Sequence, residues 1–276
     1  MNNTLHNNTH PMLNTAIKAV RRAGSLISKA SLDIASVASS RKNDGSLVSE
    51  IDNTVQAEIL EILMNVYPQH QFIAEENHYS NIDLNKEYTW YIDPIDGTSN
   101  FIHGFDYYAI SIAVAKGNTL EHAVIYNPNT DELFTASKGR GAYLNNRRMR
   151  VNSRAKLSDA LVATSFIHKR NINEQKDIQL YLDITQAAAG VRRTGSIVLD
   201  LAYVACGRFD AFFDKNLYPW DIAAGMLLVK ESGGLIGNFN GDSGNDTEII
   251  ANKQLLAANS RIFAGLVSNL NIYHKS

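Results

Sequence analysis

The sequence predicts an α+β protein of layered sheets and helices, with an antiparallel meander sheet in its N-terminal half and a mixed α/β sheet in its C-terminal half. Three observations predict it: two stretches of helical periodicity near the start, period-two segments cut by turns from about 88 to 151, and an alternation of helical and strand-like segments beyond. The first eleven residues are rich in Asn, Thr and His, lack an apolar signal region, and read as a disordered leader. From Pro11 onward Leu13, Ala16, Ile17, Val20, Gly24 and Ile27 fall at helical spacing. The polar stretch from Ser36 to Ser46, with Lys42, Asn43, Asp44 and Gly45, has loop chemistry. Val55, Ile59, Ile62, Leu63 and Val66 make a second helical stripe, stopped by Pro68, with Asp52 in its first turn. Phe72-Ile73-Ala74 is a short strand ending in the acid pair Glu75-Glu76.

The period then switches to two. Thr89 to Ile92, Ala109 to Ala115, Ala123 to Tyr126 and Leu133 to Ala136 read as strands, with turns at Lys116-Gly117-Asn118, Asn127-Pro128-Asn129 and Asn145-Asn146. In the second half, Leu161 to Thr164 and Phe209 to Phe213 read as strands, and Glu174 to Ala189 and Ser196 to Cys206 as helices, the latter ended by Gly207. Asp221 to Glu231 is an apolar helix closed by Gly233-Gly234; short strands near 235–239 and 255–258 and a last helix from about Arg261 follow. A soft boundary at 152–158 divides a half spanning 12–155 from one spanning 156–276. With no repeat and no low-complexity linker between them, the two halves form one unit, and the cleft they share is the default site.

A chain of 276 residues, 45% hydrophobic and 20% charged, can bury a large core and is neither disordered nor collagen-like. A net charge of −2 and a pI near 6.4 provide no global basic field for direct nucleic-acid or membrane-surface binding. The longest apolar run, Tyr107 to Ala115, is about half of what a bilayer crossing needs. Cys206 is alone, which excludes an intrachain disulfide and a multi-cysteine zinc site. The expectation is a cytoplasmic protein.

The chemistry concentrates in Trp90-Tyr91-Ile92-Asp93-Pro94-Ile95-Asp96-Gly97-Thr98-Ser99-Asn100. An apolar strand runs into two carboxylates three residues apart, and Pro94 favours a turn that points Asp93, Asp96 and the Ile95 carbonyl to one side. Carboxylates so placed repel unless a cation lies between them or one takes up a proton. Magnesium suits carboxylate, carbonyl and water oxygens, and the Gly97 and Thr98 amides could cradle a phosphate. The same residues also fit a plain β-turn whose acids are solvated or cap the next helix. Glu75 by itself fits a surface acid, and Asp221, after Pro219-Trp220, fits a first-turn acid favoured by the helix dipole.

Taken together these residues resemble the inositol monophosphatases of the magnesium-dependent, lithium-sensitive phosphatase superfamily, and their bacterial branch in particular. The resemblance rests on Trp90 to Phe101, on Pro219-Trp220-Asp221-Ile222-Ala223-Ala224-Gly225 with Glu231-Ser232-Gly233-Gly234, and on Phe72 to Asn77. It continues through Leu47-Val48 with Asp52, Lys138 to Ala142, and Arg192-Arg193-Thr194-Gly195-Ser196, covering Pro11 to about Leu270.

The resemblance implies a layered αβαβα sandwich, hydrolysis of a phosphate monoester such as myo-inositol 1-phosphate, and a homodimer with Arg192 and Arg193 at its interface or in the cleft. It implies one magnesium on Glu75, Asp93 and the Ile95 carbonyl, a second on Asp93, Asp96 and Asp221, and a third leaning on Glu75 through water. Thr98 and Asp52 would orient the attacking water, and the amides of Gly97 and Thr98 would carry the phosphate. Asp96, Gly195, Ser196, Asp221 and Asp214 would meet the substrate; Asp214 stands where the family usually has Glu, so its contact could pass through water. Lys42 takes the place of a family Lys near the metals. The same metals could serve fructose 1,6-bisphosphate, a nucleotide 3′-phosphate or NADP. Bacterial relatives also act as partners of transcription antitermination factors, a role in which the surface, including Arg147, Arg148, Arg150 and Arg154, would matter more than the metals. That arginine cluster also reads as a solvated strand edge. The eight histidines show no metal spacing and read as surface or loop residues.

Overall fold

The computed structural model describes residues 10–34, 37–41, 47–76, 86–165 and 175–274. Helix α1 (Pro11–Ser31) begins with Pro at its first position, where a missing N–H costs nothing, and with His10 as its cap. Pro11 therefore belongs to this helix and not to the leader. A short hairpin, β1 (Ser39–Arg41) and β2 (Leu47–Ser49), enters part of the stretch expected as loop and leads into α2 (Glu50–Val66).

The first large sheet has seven strands in chain order: β3 (Gln71–Ala74), β4 (Tyr88–Asp96), β5 (Ala109–Lys116), β6 (Thr119–Asn127), β7 (Glu132–Ser137), β8 (Gly141–Leu144) and β9 (Arg147–Arg148). From β4 onward it is the antiparallel meander the period-two pattern predicts, and β3 joins β4 in parallel. Its hairpins turn where left-handed backbone is tolerated, at Gly117, Asp131 and the Asn145-Asn146 pair. The one-turn helix α3 (Thr98–Ile102) sits between β4 and β5.

The second half contributes β10 (Leu161–Ala163), α4 (Gln175–Ala187), β11 (Gly190–Arg192), α5 (Ile197–Ala205), β12 (Ala211–Lys215), α6 (Pro219–Glu231), β13 (Leu235–Gly237), α7 (Asp246–Asn252), β14 (Gln254–Ala258) and α8 (Ser260–His274). Its five strands lie in the order β11-β10-β12-β14-β13, parallel at β11-β10-β12 and antiparallel beyond, the expected mixed sheet. The second strand starts at Ala211, two residues later than the apolar run from Phe209 suggests.

Side-chain alternation builds the layers. Along β5, Ile110, Ile112 and Val114 pack on α1 and α2, whereas Ala109, Ala113 and Ala115 face the core that holds α5 and α6. Along β12, Phe212 faces that same central core, while Ala211 and Phe213 pack with α4 and α8 on the far side. The result is helix, sheet, helix, sheet, helix: an αβαβα sandwich. Among the described residues, no helix is long and apolar enough to cross a membrane.

Two sequence readings need correction. Pro94 does not make a turn: it lies inside β4, where Asp93 pairs with Ser111 and Asp96 with Ala109, leaving one extra residue as a β-bulge. A bulge needs no ladder N–H at the proline, and it aims both acids off the strand end. His70 and His122 are buried, not surface residues. His70 accepts from the Trp90 indole at 3.0 Å within an aromatic stack, and His122 pairs with the Ser137 hydroxyl at 2.9 Å beneath the His10 ring. Lys42 and residues 77–85 lie outside the described residues.

Candidate active site

Parallel pairing places the C-terminal ends of β3 and β4 side by side, and the Glu75 N–H continues the ladder by donating to the Ile92 carbonyl at 3.2 Å. Glu75 therefore stands beside Asp93, and their carboxyl groups are in hydrogen-bond contact. On the other side of Asp93 lies Ser111, whose hydroxyl donates to the Trp220 carbonyl at 3.5 Å and so draws the start of α6, with Asp221, onto the bulge. Asp93 is 1% exposed, and its Oδ1 has no hydrogen-bond partner. Burial, then the charges of Glu75, Asp96 and Asp221, push its carboxyl well above the ordinary range. Burial, followed by Asp96 and Glu75, does the same to Asp221. These four acids come from two elements, β4 and α6, and from the end of β3, and the charges of Glu75 and Asp96 act on both Asp93 and Asp221.

Each of the outer acids also has a structural bond. Asp221 is the third residue of α6, and its Oδ2 accepts from the Tyr218 N–H at 2.8 Å, as the helix-start reading expects. Asp96 Oδ2 accepts from the Ser196 hydroxyl at 2.5 Å and from the Val198 N–H at 2.7 Å, at the mouth of α5. Burial raises the Asp96 carboxyl to about 7 against those two bonds. Among the described residues no group of three or more His, Cys, Asp or Glu side chains is arranged so that it could hold a metal ion. Magnesium keeps several waters, so the carboxylates that would hold it need not all touch it directly.

Gly97 adopts φ 95°, a left-handed conformation that swings the chain from β4 into α3. A Cβ there would lie 3.0 Å from the Tyr107 carbonyl and 3.3 Å from the Gly195 carbonyl, so the Gly97 and Gly195 loops touch through bare backbone. Next along the chain, the Thr98 hydroxyl lies 2.9 Å from Asp52 Oδ1 and 3.0 Å from the Ile95 carbonyl. Asp52 is fully buried, and its Oδ2 accepts from the Ser49 N–H at 2.8 Å and from the Ser49 hydroxyl. Burial raises its carboxyl, the Ser49 and Thr98 bonds oppose this, and Glu75 raises it further.

Asp214 lies at the end of β12, with Oδ2 accepting from the Ser165 N–H at 2.8 Å and Oδ1 from the Lys215 N–H at 2.7 Å. Burial lifts it to about 6. Arg192 and Arg193 are exposed, and the charge of Arg193 reaches Asp214. Arg147 and Arg148 form the outermost, exposed strand of the meander, whereas Arg154 pairs with Asp210 at 3.2 Å. Sequence reasoning quoted Asn100 and Thr194 within motifs but gave no role to them, to Tyr107 or to Asp200, and the four bond to one another behind the site. The available signal was Asp200, a lone acid in a helix otherwise apolar or small.

The family model described as the inositol monophosphatase family matches residues 8–274. The Nus factor SuhB of Pseudomonas aeruginosa is 41% identical over 265 residues, covering 94% of this chain and 96% of that protein. The Nus factor SuhB of Escherichia coli K12 is 40% identical, covering 95% of this chain and 96% of that protein. Among solved structures, the extragenic suppressor protein suhB from Bartonella henselae superposes with a TM-score of 0.88 at 34% identity, covering 95% of this chain and 98% of that one. An inositol monophosphatase from Anabaena superposes at 0.81 with 33% identity, covering 95% of each chain.

Proposed function

The chain belongs to the inositol monophosphatase family, and on that premise we propose that it is a magnesium-dependent phosphatase that hydrolyses myo-inositol 1-phosphate or a similar polyol phosphate. The observation that carries the reading is Asp93: a buried carboxylate with a bare oxygen, in contact with Glu75 and crowded by Asp96 and Asp221. Such a donor set is stable at neutral pH with a hard cation beside it and strained without one. Glu75, Asp93 and the Ile95 carbonyl would hold one magnesium, Asp93, Asp96 and Asp221 a second, and Glu75 a third through water. When bound, magnesium supplies the Lewis acidity that makes water nucleophilic near neutral pH and neutralises the phosphate oxygens.

The chain's own groups do the rest. With its proton donated to Asp52, the Thr98 oxygen keeps lone pairs with which to accept from an attacking water and orient it. Asp52 is locked by Ser49, so the pair keeps its direction. The Gly97 and Thr98 amides would carry the phosphate, and the bond from Ser196 keeps one Asp96 oxygen turned toward α5 and leaves the other for the site. Asp221 and the Gly195-Ser196 start of α5 would line the polyol side. Both Asp214 oxygens already accept backbone N–H groups, which supports contact with substrate through water.

Phosphate release from myo-inositol 1-phosphate, fructose 1,6-bisphosphate, a nucleoside 3′-phosphate and NADP, each with magnesium and with chelator, tests the proposal. Magnesium-dependent release that is fastest on the inositol phosphate is expected; no magnesium-dependent release from any of them would end it. A second reading is supported by the name Nus factor that the similar proteins carry: the chain would also bind transcription antitermination factors as a homodimer in the cytoplasm.

A further inference from the structure

We propose that Asp200, acting with Asn100, Tyr107 and Thr194, is a positioning residue that fixes how closely the Gly97-Thr98 turn approaches the Ser196 clasp on Asp96. The inference rests on the phosphatase reading for its kinetic consequence but not for its geometry. Asp200 is fully buried in α5. Its Oδ1 accepts from the Thr194 hydroxyl at 2.6 Å and the Tyr107 hydroxyl at 3.0 Å, and its Oδ2 has no partner. The same two residues are bridged a second time, through their backbones: the Asn100 Nδ2 donates to the Tyr107 carbonyl at 2.8 Å and the Thr194 carbonyl at 2.9 Å. Two acceptor–donor bridges thus close a ring across the two halves of the molecule.

Every member of the ring is a near neighbour of a site group. Asn100 lies two residues after Thr98 in the same helical turn, and Thr194 lies two residues before Ser196. Gly195, between Thr194 and Ser196, presses on the amide: a Cβ there would lie 2.9 Å from Asn100 Nδ2. The Tyr107 carbonyl also bounds Gly97. Asp200 touches neither the phosphate cradle nor the acids, so it acts through the loops it holds. A buried carboxylate with a bare oxygen destabilises the fold, and burial pushes this one well above the usual range; here it holds two loops in register.

The test compares Asp200→Asn, which keeps the accepting oxygen, with Asp200→Ala, alongside Thr194→Val and Tyr107→Phe. Amide exchange over 194–199 and 97–102 is measured on metal-free protein, and kcat and KM are measured on myo-inositol 1-phosphate at saturating magnesium. Asp200→Ala should speed exchange in both segments ~10-fold with the β5 and β6 amides unchanged, and lower kcat ~10- to 100-fold with KM moving less than ~3-fold. Asp200→Asn should restore most of both, and Thr194→Val should add nothing to Asp200→Ala. Unchanged exchange in the two segments overturns the proposal, as does a loss that Asn does not rescue or one confined to KM. If wild type releases no phosphate, the phosphatase reading fails and the exchange arm alone decides the positioning role. If Asp200→Ala does not fold, Thr194→Val and Tyr107→Phe decide it on the same readouts, each expected to show a smaller change of the same sign.

Discussion

Asp93 shows what a buried, crowded carboxylate costs the fold. It is buried beside three other acids with one oxygen bare, so removing its charge should relieve the metal-free protein. Asp93→Asn is expected to raise the stability of that form by ~1–2 kcal/mol, to abolish the rise in melting temperature that magnesium gives wild type, and to abolish hydrolysis. Thermal melts with chelator and with magnesium check the first two; a variant that still gains melting temperature from magnesium would remove Asp93 from the metal site. Thr98→Val, which deletes the hydroxyl bonded to Asp52, should lower kcat ~10²- to 10⁴-fold, with Thr98→Ser restoring most of it. His122 carries a pH effect of opposite sign to the acids. Burial, then His10 and Arg140, lower it to about 4 from 6.5, so the folded protein binds fewer protons there than the unfolded chain. Its contribution is fully present above pH 6.5 and is lost as pH falls toward 4, by ~3 kcal/mol at most. Asp214, lifted to about 6, instead favours the folded state as pH falls. Urea melts at pH 7 and pH 5 separate the two, because His122→Gln should remove only the destabilising component. Glu75, Asp93, Asp96 and Asp221 stood out in the sequence because each lies at or near a strand end or opens a helix within a dense motif. Asp200 and His122 were not, since their partners lie 93 and 15 residues away.

At the scale of elements, the meander was legible because its turns need residues that tolerate positive φ, and Gly117, Asn145 and Asn146 announce them. The pieces that escaped notice are short: β1, β9 and β11 have too few residues to show a period, and each lies at a sheet edge or in a two-stranded ribbon. The proline in β4 misled for a different reason, because a bulge and a turn ask the same of φ and only the neighbouring strand tells them apart. The contact between α5 and α6 is closer than sequence could reveal. A Cβ on Gly225 would lie 2.4 Å from the Leu201 Cβ, so these helices meet through a bare backbone face. Gly225→Ala should therefore force them apart and destabilise the protein by ~1–3 kcal/mol. The same shift would move Asp221, one helical turn earlier, away from Asp93 and weaken magnesium binding more than a surface Gly233→Ala variant does. Urea unfolding and calorimetric titration with magnesium measure the two effects; a fully stable Gly225→Ala protein would show that Leu201 can yield.

Across the whole molecule, the layers separate the acid cluster from the outer surface. The acids stand at one end of the seven-stranded sheet where α5 and α6 start, between the two sheets, whereas the exposed arginines of β9 lie at that sheet's far edge. A partner docking on the outside need not sense the charge of a buried carboxylate, and a substrate in the cleft need not sense β9. If the second role belongs to the surface, Asp93→Asn should bind transcription antitermination factors as wild type does while hydrolysing nothing. Replacing Arg147 and Arg148 with Ala should do the reverse, leaving kcat and KM within ~2-fold because surface substitutions away from special features change stability little. Pull-down from purified components with each variant reads binding, and phosphate release on the same preparations reads chemistry. Loss of binding in Asp93→Asn, with its fold intact by melting, would mean that the partner reads the cleft itself, and the two roles would then share one site rather than two faces of one sandwich.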